Sequence, residues 1–382
     1  MRYRHLWSSI CGVFRGPAVF ALLVVVVFAG CGSEPVAQRH LALLRLGSVL
    51  GETREPFSRA DEVREFRFPS DHGSHDSFRS EWWYLTVMLD DENGSEFGVQ
   101  FTVFRQALKA REVSSNPWRS VQVYLGHLAM TDVDRGTHHE FQRLARGHPG
   151  LAGVSTAPFA VWMDGWRLHG GDEGFSMLEL DARSDEFRVR LDLQPAKPVV
   201  LQGDQGLSHK GPDQASYYYS VPRLKVSGEL WIKERLHRVT GSAWFDHEWS
   251  TSVLGSEHVG WDWFALHFDD GSDAMVFRLR RRDGERDVHD HGVRVTTDGE
   301  SQRLSGSDYR LVPLTFWRDG EGVAWPVRWQ LELGDQRLTI EAALKDQRMD
   351  TALVYWEGLV HVRDSTGARV GRGYMELTGY TP

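Results

Sequence analysis

The sequence predicts an all-β protein, because short segments of alternating apolar and polar residues recur along most of the chain. From Phe66 onward these segments are rich in β-branched and aromatic residues, and Gly-containing polar turns separate them. Alternation with a period of two is typical of strands with one buried face, and helical periodicity is nearly absent. Many short strands with polar turns indicate a β-sandwich or a β-barrel. The clearest segments are EWWYLTVML, EFGVQFTVF, SVQVYLGHLAM, EFRVRLDLQ, RLKVSGELWI, DWFALHF and GRGYMELTGY.

A weak internal repeat predicts two β domains in tandem. The segment Trp83–Asp91 resembles Trp263–Asp270 with one residue dropped, and each copy continues through Gly-Ser into a segment that ends in Phe-Arg. An offset of about 180 residues is too long for a solenoid repeat. Chance similarity between two hairpins is the alternative explanation. We predict one β domain over residues 66–240 and a second over 241–382.

Composition limits the classes of partner. The chain has 382 residues and a formal net charge of −9, and it has no long basic stripe of the kind that binds nucleic acid. Its 15 Trp, 19 Phe and 10 Tyr either line a cavity for an apolar ligand or fill β cores. We therefore expect no nucleic acid partner, whereas composition alone leaves an apolar small-molecule ligand open, with filled β cores the commoner explanation.

The N-terminus resembles a bacterial lipoprotein signal. Basic residues precede the apolar run Ala18–Ala29, which is shorter than the roughly 17–25 residues of a membrane-spanning helix. The run ends in VFAGCGSEP, which predicts a signal peptide over residues 1–30 and lipid attachment at Cys31. The alternative is an ordinary signal peptide with an incidental cysteine. If Cys31 carries the lipid, residues 31–65 are the linker between the anchor and the β domains.

A lipid anchor implies a place in the cell envelope. The only other cysteine, Cys11, lies in the segment that would be removed, so no disulfide pair remains. Several acyl chains would hold the protein stably on the membrane where one would not. Gly32 does not resemble an inner-membrane retention signal. We expect a lipid-anchored, periplasm-facing protein, with the outer membrane favoured.

Standard catalytic and cofactor motifs are missing from the sequence. No Gly-Lys dipeptide is present for a phosphate-binding loop, and HEWST lacks the second histidine of a zinc protease. A Gly-x-Ser-x-Gly nucleophile turn is also absent. His72 and His75 have a spacing that metal ligands use, but two histidines in a glycine-rich segment are more often simply a loop. We predict no metal and no cofactor, which leaves acid–base chemistry by carboxylates and histidines, or binding alone.

The segment GSAWFDHEWSTS interleaves charged residues with bulky aromatics. If it is a strand, alternation places Trp244, Asp246 and Glu248 on one face and Phe245, His247 and Trp249 on the other. A carboxylic acid beside tryptophan in an apolar cavity stays protonated near neutral pH, because burial disfavours its ionised form. Such a group can donate a proton to an alkene, an enol or a leaving group. A buried aspartate that holds two domains together through hydrogen bonds is the alternative.

The segments FPSDHGSHDSFRSEWWYLTV, YYYSVPRLKVSGEL and GSAWFDHEWS, and the C-terminal YWEGLVHVRDSTGARVGRGYMELTGY, resemble the AttH-like, carotenoid 1,2-hydratase (hydroxyneurosporene synthase) family. Members are often described as predicted secreted hydrolases. The resemblance covers Phe66 to Tyr380 and implies two tandem lipocalin-like β-barrel domains. It also implies that Asp246 is the proton donor and that Trp244 takes a position usually held by tyrosine. Association with an export ABC transporter is a further implication.

Two functions remain open. In the first, the chain is an enzyme, a hydratase or hydrolase, that acts on an isoprenoid, polyketide or lipid-like substrate. Asp246 would be the general acid, and His247 or Glu81 its partner. In the second, the chain is a non-catalytic carrier or an accessory protein of an ABC transporter, and Asp246 and His247 are structural. In both cases the expected apolar contacts come from Trp83, Tyr84, Trp244, Tyr218, Trp261 and Trp263.

Overall fold

The computed structural model describes residues 56–110, 119–171, 174–252 and 254–381. The predicted signal peptide, its cleavage site and Cys31 lie outside these residues. Within them, the backbone is almost entirely β, as predicted, and a short 3₁₀ helix covers Ser70–His72. No helix of the described residues is long and apolar enough to cross a membrane.

The first sheet is a curled, barrel-like sheet of antiparallel strands, in the order β4-β3-β2-β1-β13-β12-β9-β8-β7-β6-β5, with β10 and β11 paired to β12. Its strands are β1 Ser80–Asp91, β2 Glu96–Ala107, β3 Gln122–Asp132, β4 Thr137–Arg146, β5 Ala152–Thr156, β6 Phe159–Met163, β7 Trp166–Gly171, β8 Gly174–Arg183, β9 Phe187–Pro195, β10 Val200–Leu201, β11 Leu207–His209, β12 Ala215–Ile232 and β13 Arg235–Ser252.

The second sheet is curled in the same way and follows the order β17-β16-β15-β14-β23-β22-β20-β19-β18, with β21 paired to β22. Its strands are β14 His258–Phe268, β15 Asp273–Arg281, β16 His291–Val295, β17 Ser301–Ser305, β18 Tyr309–Arg318, β19 Ala324–Leu333, β20 Gln336–Ala342, β21 Arg348–Met349, β22 Tyr355–Arg363 and β23 Arg369–Leu377. The predicted fold class, all-β with two tandem lipocalin-like barrels, is confirmed.

The chain passes from one sheet to the other later than the predicted boundary at residues 240–241. Strand β13 contains Gly241 and continues to Ser252, paired with β1 along one edge and β12 along the other. The second sheet begins only at His258. The segment GSAWFDHEWSTS is therefore part of the first sheet. Part of the predicted linker also packs on this sheet, because Phe57 and Ala60 are buried.

Both sheets contain the same hairpin, β1–β2 in the first and β14–β15 in the second. In each hairpin an acidic residue stands opposite an arginine: Glu81 pairs with Arg105, and Asp262 with Arg278. Both pairs are salt-bridged, with closest N–O distances of 2.8 Å and 2.5 Å respectively. The ion pair present in both hairpins shows which residues of the two hairpins are structurally equivalent.

Aligned on these ion pairs, Trp263 corresponds to Trp82, whereas the sequence repeat matches it with Trp83. The difference matters because a shift of one residue moves a side chain to the opposite face of a strand. Trp83 packs in the interior of the first sheet. Trp82 and Trp263 belong to a separate cluster formed where the two sheets meet.

The cluster between the sheets joins the outer faces of β1 and β13 to those of β14, β15, β22 and β23. Tyr84 and Trp244 of the first sheet pack there with Phe277 of the second. The sheets approach closely: a Cβ atom on Gly98 of β2 would lie 2.5 Å from the hydroxyl oxygen of Tyr374 on β23. Glycine at position 98 therefore permits the contact between the sheets.

Candidate functional site

A cavity of about 510 Å³ lies at the junction of the two sheets. Ligand sites typically enclose about 300–1,000 Å³ and combine apolar walls with a few polar groups, and this cavity has that character. Its aromatic lining comes from both sheets and consists of Phe57, Trp82, Tyr84, Phe104, Tyr218, Trp261, Trp263, Phe277 and Tyr355. Its ionisable groups include Lys210, Asp246, Glu248 and Glu376.

Asp246 is the polar centre of the part of the cavity that the first sheet provides. Its Oδ1 accepts hydrogen bonds from Trp244 Nε1 at 2.7 Å and from Ser220 Oγ at 2.5 Å, and its Oδ2 accepts one from Tyr218 Oη at 2.7 Å. Burial raises the pKa of Asp246 to about 7, although all three hydrogen bonds favour the ionised form. The group therefore exchanges its proton near neutral pH while it faces a cavity.

Alternation along β13 gives the faces that the sequence predicts. Trp244, Asp246 and Glu248 border the junction of the sheets or pack beside it, whereas Phe245 and Trp249 pack in the interior of the first sheet. Glu248 is hydrogen-bonded and ion-paired to Lys210. The ammonium group of Lys210 lies 5.5–5.9 Å from the ring centroids of Trp82, Tyr218 and Phe277.

The second sheet contributes a pair of neighbouring acids, of which Glu357 is fully buried and Glu376 is partly exposed. Glu357 and Glu376 are cross-strand partners on β22 and β23. Glu376 Oε1 accepts a hydrogen bond from Trp261 Nε1 at 2.7 Å, and Glu357 Oε1 accepts one from Tyr84 Oη at 2.6 Å. Burial raises the pKa of Glu376 to about 7, with a further contribution from the charge of Asp246. Burial and the neighbouring Glu376 hold the pKa of Glu357 well above its usual range.

One chain of hydrogen bonds ties Asp246 to the second sheet. Tyr218, which donates to Asp246, accepts a hydrogen bond from Trp263 Nε1 at 3.3 Å. Tyr84 lies opposite Asp246 on β1 and donates to Glu357, which is a separate hydrogen bond between the sheets. Polar side chains of the two sheets are therefore hydrogen-bonded to each other at the cavity.

His247 and the carboxylate of Glu81, the predicted partners of Asp246, belong to a different network. Glu81 borders the cavity, but its side chain is fully buried, and its Oε1 lies 2.9 Å from His247 Nε2. Burial lowers the pKa of His247, and Trp83 stacks on its ring at a centroid distance of 4.7 Å. The structure thus places His247 and Trp83 on the face of the sheet opposite Asp246.

This interior network also contains the cluster best suited to a metal among the described residues. His75, Glu81 and His247 each direct one ligand atom to a common point, with all three atoms within 4.8 Å of one another. Arg105 Nε, however, donates to Glu81 Oε2 at 2.8 Å, and the His75 backbone N–H donates to the same oxygen at 3.0 Å. An adjacent guanidinium disfavours a cation, and hydrogen bonds already satisfy the carboxylate. His72 is not a member of this cluster; its Nδ1 lies 2.7 Å from Tyr219 Oη, which in turn lies 3.3 Å from His247 Nδ1.

Six of the predicted residues line the cavity, together with several that the prediction omits. They are Glu81, Tyr84, Tyr218, Asp246, Trp261 and Trp263, and Trp244 lies directly behind Asp246. Glu248 could have been identified by its alternation with Asp246. The other ionisable residues of the site have no sequence spacing that would identify them as site residues. Lys210 lies in SHKGPDQASYYY, and Glu357 and Glu376 lie in the C-terminal motif that begins at Tyr355.

Comparison with known proteins agrees with this architecture. The AttH-like family profile matches residues 59–380. A crystal structure of an AttH protein from Nitrosomonas europaea is 33% identical, covers 85% of this chain and 100% of its own, and has a TM-score of 0.74.

Two more distant structures share the fold. Kievitone hydratase from Nectria haematococca is 13% identical, with coverage of 85% and 98% and a TM-score of 0.63. CghA, solved with Sch210972, is 10% identical, with coverage of 87% and 97% and a TM-score of 0.51. No curated protein matches the sequence. The profile match and the Nitrosomonas structure confirm the family predicted from the sequence motifs: the chain belongs to the AttH-like family.

Proposed function

We propose that the chain is an enzyme that protonates an apolar substrate in the cavity between the two sheets, with Asp246 as the general acid. The observation that carries this proposal is the position of Asp246. Its carboxyl group is buried beside a ligand-sized cavity, and the pKa of this group lies at about 7. An acid with a pKa near the working pH is well suited to transfer a proton.

The surroundings of Asp246 suit a reaction in which positive charge develops on carbon. Protonation of a substituted alkene leaves a cation, and aromatic ring faces stabilise a nearby cation. Trp263 and Phe277 supply such rings in the lining of the cavity. Addition of water to the cation completes a hydration, whereas protonation of a leaving group gives hydrolysis.

An isoprenoid, polyketide or lipid-like substrate is the class that the lining supports. Aromatic side chains from both sheets border the cavity beside ionisable groups that include Asp246 and Glu376. The similarity in fold to a hydratase named for kievitone and to a protein solved with Sch210972 makes small organic molecules of this size reasonable first candidates.

The proposal extends to the cell envelope. Cys31, in the motif VFAGCGSEP, would carry the lipid anchor and hold the enzyme at the periplasmic face of a membrane. Intact-mass measurement of the full chain expressed in bacteria tests this part. Cleavage before Cys31 with the added mass of acyl chains supports it, and an unmodified cysteine contradicts it.

Turnover in H₂¹⁸O tests the chemistry. The full chain is incubated with kievitone, with geraniol and with any compound that copurifies from its own host, and products are searched for added ¹⁸O. The Asp246→Asn variant should lose the activity. Asp335→Asn, on an exposed turn of the second sheet, is the matched control and should keep it. Equal rates for wild type and Asp246→Asn would contradict the assignment of the acid.

A carrier function is the second candidate, and the complete hydrogen bonding of Asp246 favours it. Three donors satisfy the carboxyl group, as expected of a structural residue. A carrier, or an accessory protein of an export ABC transporter, would bind the same ligand and release it unchanged. Under that function, Asp246→Asn would alter neither the identity of the bound ligand nor its chemical state.

A further inference from the structure

We propose that Glu376 is a second catalytic carboxyl group, which accepts a proton from the attacking water molecule and stabilises positive charge on the substrate. This inference rests on the proposed function, because it assumes that Asp246 protonates the substrate. It assigns to the second sheet a chemical role that goes beyond closing the cavity.

The position of Glu376 is the first argument. It lies on β23 of the second sheet and borders the same cavity as Asp246, which lies on β13 of the first. Asp246 is 3% exposed, whereas Glu376 keeps partial solvent access. A group that must receive a proton from water needs such access, and a group that delivers a proton to carbon benefits from exclusion of water.

The hydrogen bonds of Glu376 are the second argument. Trp261 Nε1 donates to its Oε1 at 2.7 Å, which fixes the orientation of the carboxyl group. The neighbouring acid Glu357 is fully buried, and Tyr84 already donates to one of its oxygens. Burial and the neighbouring Glu376 hold the pKa of Glu357 well above its usual range, although the hydrogen bond from Tyr84 lowers it. Glu357 therefore keeps its proton, and Glu376 is the member of the pair that exchanges a proton with the cavity.

Electrostatic coupling favours a state in which only one of Asp246 and Glu376 is ionised, and the difference in solvent access assigns the proton to Asp246. Like charges confined in one apolar site cannot both ionise readily, so near neutral pH one carboxyl group holds a proton while the other is ionised. The charge of Asp246 raises the pKa of Glu376. A protonated acid and an ionised base facing one cavity is the arrangement that addition of water requires.

Hydration of an alkene at this site takes two proton transfers and one addition of water. The O–H bond of Asp246 breaks, its proton forms a C–H bond as the alkene π bond breaks, and a carbon cation remains. A lone pair of the water oxygen forms the C–O bond to this cation, and a water proton passes to the Glu376 carboxylate. Exchange with solvent then returns Glu376 to its ionised form and Asp246 to its protonated form.

A cation-mimicking ligand tests the inference before the substrate is identified. N,N-dimethyldodecylamine, protonated at pH 8, imitates the cation, and dodecanol is its neutral counterpart of similar length. Binding of both probes to the full chain is measured by tryptophan fluorescence for wild type, Glu376→Gln and Glu341→Gln. Glu341 lies on β20, where its side chain is 46% exposed and does not line the cavity, and serves as the matched control.

We expect Glu376→Gln to weaken binding of the amine about tenfold relative to dodecanol, because it removes the negative charge while keeping the shape. Dodecanol binding should stay within about twofold, which also shows that the cavity remains folded. Glu341→Gln should change neither affinity. If dodecanol binds but Glu376→Gln leaves the preference for the amine unchanged, the role of Glu376 is refuted while the apolar cavity stands. If neither probe binds wild type, the proposed function fails together with the inference.

Discussion

Asp246→Asn should stabilise the protein at alkaline pH, although it removes a proposed catalytic group. Burial raises the pKa of Asp246 from 3.8 to about 7. The folded protein therefore holds a proton that the unfolded chain releases as the pH rises through this range. Each pKa unit corresponds to about 1.36 kcal/mol, so ionisation costs the folded state up to about 4 kcal/mol above pH 7. Asparagine carries no charge and avoids this cost.

The magnitude follows from linkage and from the lost hydrogen bond. An amide nitrogen at the position of Oδ2 faces the Tyr218 hydroxyl group, which must then accept a bond instead of donating one, at a cost of about 1 kcal/mol. We expect the free energy of unfolding of Asp246→Asn, relative to wild type, to rise by about 2.5 kcal/mol between pH 5 and pH 8.

Urea denaturation of the full chain at several pH values measures this difference. Asp335→Asn, on an exposed turn, should show no comparable change. A constant difference between wild type and Asp246→Asn across the pH range would show that Asp246 is ionised in the folded protein throughout. The argument for a protonated acid would then be refuted.

Three further predictions follow from the site and its supports. In a turnover assay, Asp246→Asn should reduce the rate about 10²–10⁴-fold, and wild-type activity should fall as the pH rises above about 7, where the acid loses its proton. In chemical denaturation, Glu81→Gln should destabilise the fold by about 3–5 kcal/mol, because it leaves the buried Arg105 guanidinium without its charge partner. Thermal unfolding of Gly98→Ala should show lower stability, since the new methyl group would lie 2.5 Å from Tyr374 Oη and push the sheets apart.

A specific result would contradict each of these three predictions. Residual activity of Glu376→Gln, which lacks the second titrating carboxyl group, that does not fall above about pH 7 would contradict an acid at position 246. A stable Glu81→Gln variant would mean that the interior network is not held by its charge. An unchanged melting temperature for Gly98→Ala would show that the two sheets do not meet closely at this strand.

Local sequence pattern predicted the strand content and the two faces of β13, because period-two alternation depends only on the backbone of a single strand. It also placed Asp246 correctly beside Trp244. The same reasoning could not decide which face of β13 meets the second sheet. Glu81 and His247 are plausible partners for Asp246 in sequence. Alternation along β13, however, directs His247 into the interior of the first sheet, where the Glu81 carboxylate of β1 meets it.

The contribution of the second sheet could not be predicted from the sequence. Glu376 becomes part of the site only because β23 pairs with β14 and β22, and the outer faces of these strands then pack against β1 and β13. These contacts join residues more than a hundred positions apart in sequence, such as Tyr84 and Glu357. Lys210 lies outside the regular strands, so strand periodicity gives no information about its direction.

Deuterium transfer from the enzyme to its ligand is the most direct test of the central claim. The compound that copurifies with the full chain from its own host is identified by mass spectrometry and incubated with the protein in D₂O. Wild type should form a new C–D bond in this compound, and Asp246→Asn should do so at least about a hundredfold more slowly. Recovery of the compound without carbon-bound deuterium from wild type, or equal incorporation by both proteins, would contradict proton donation by Asp246.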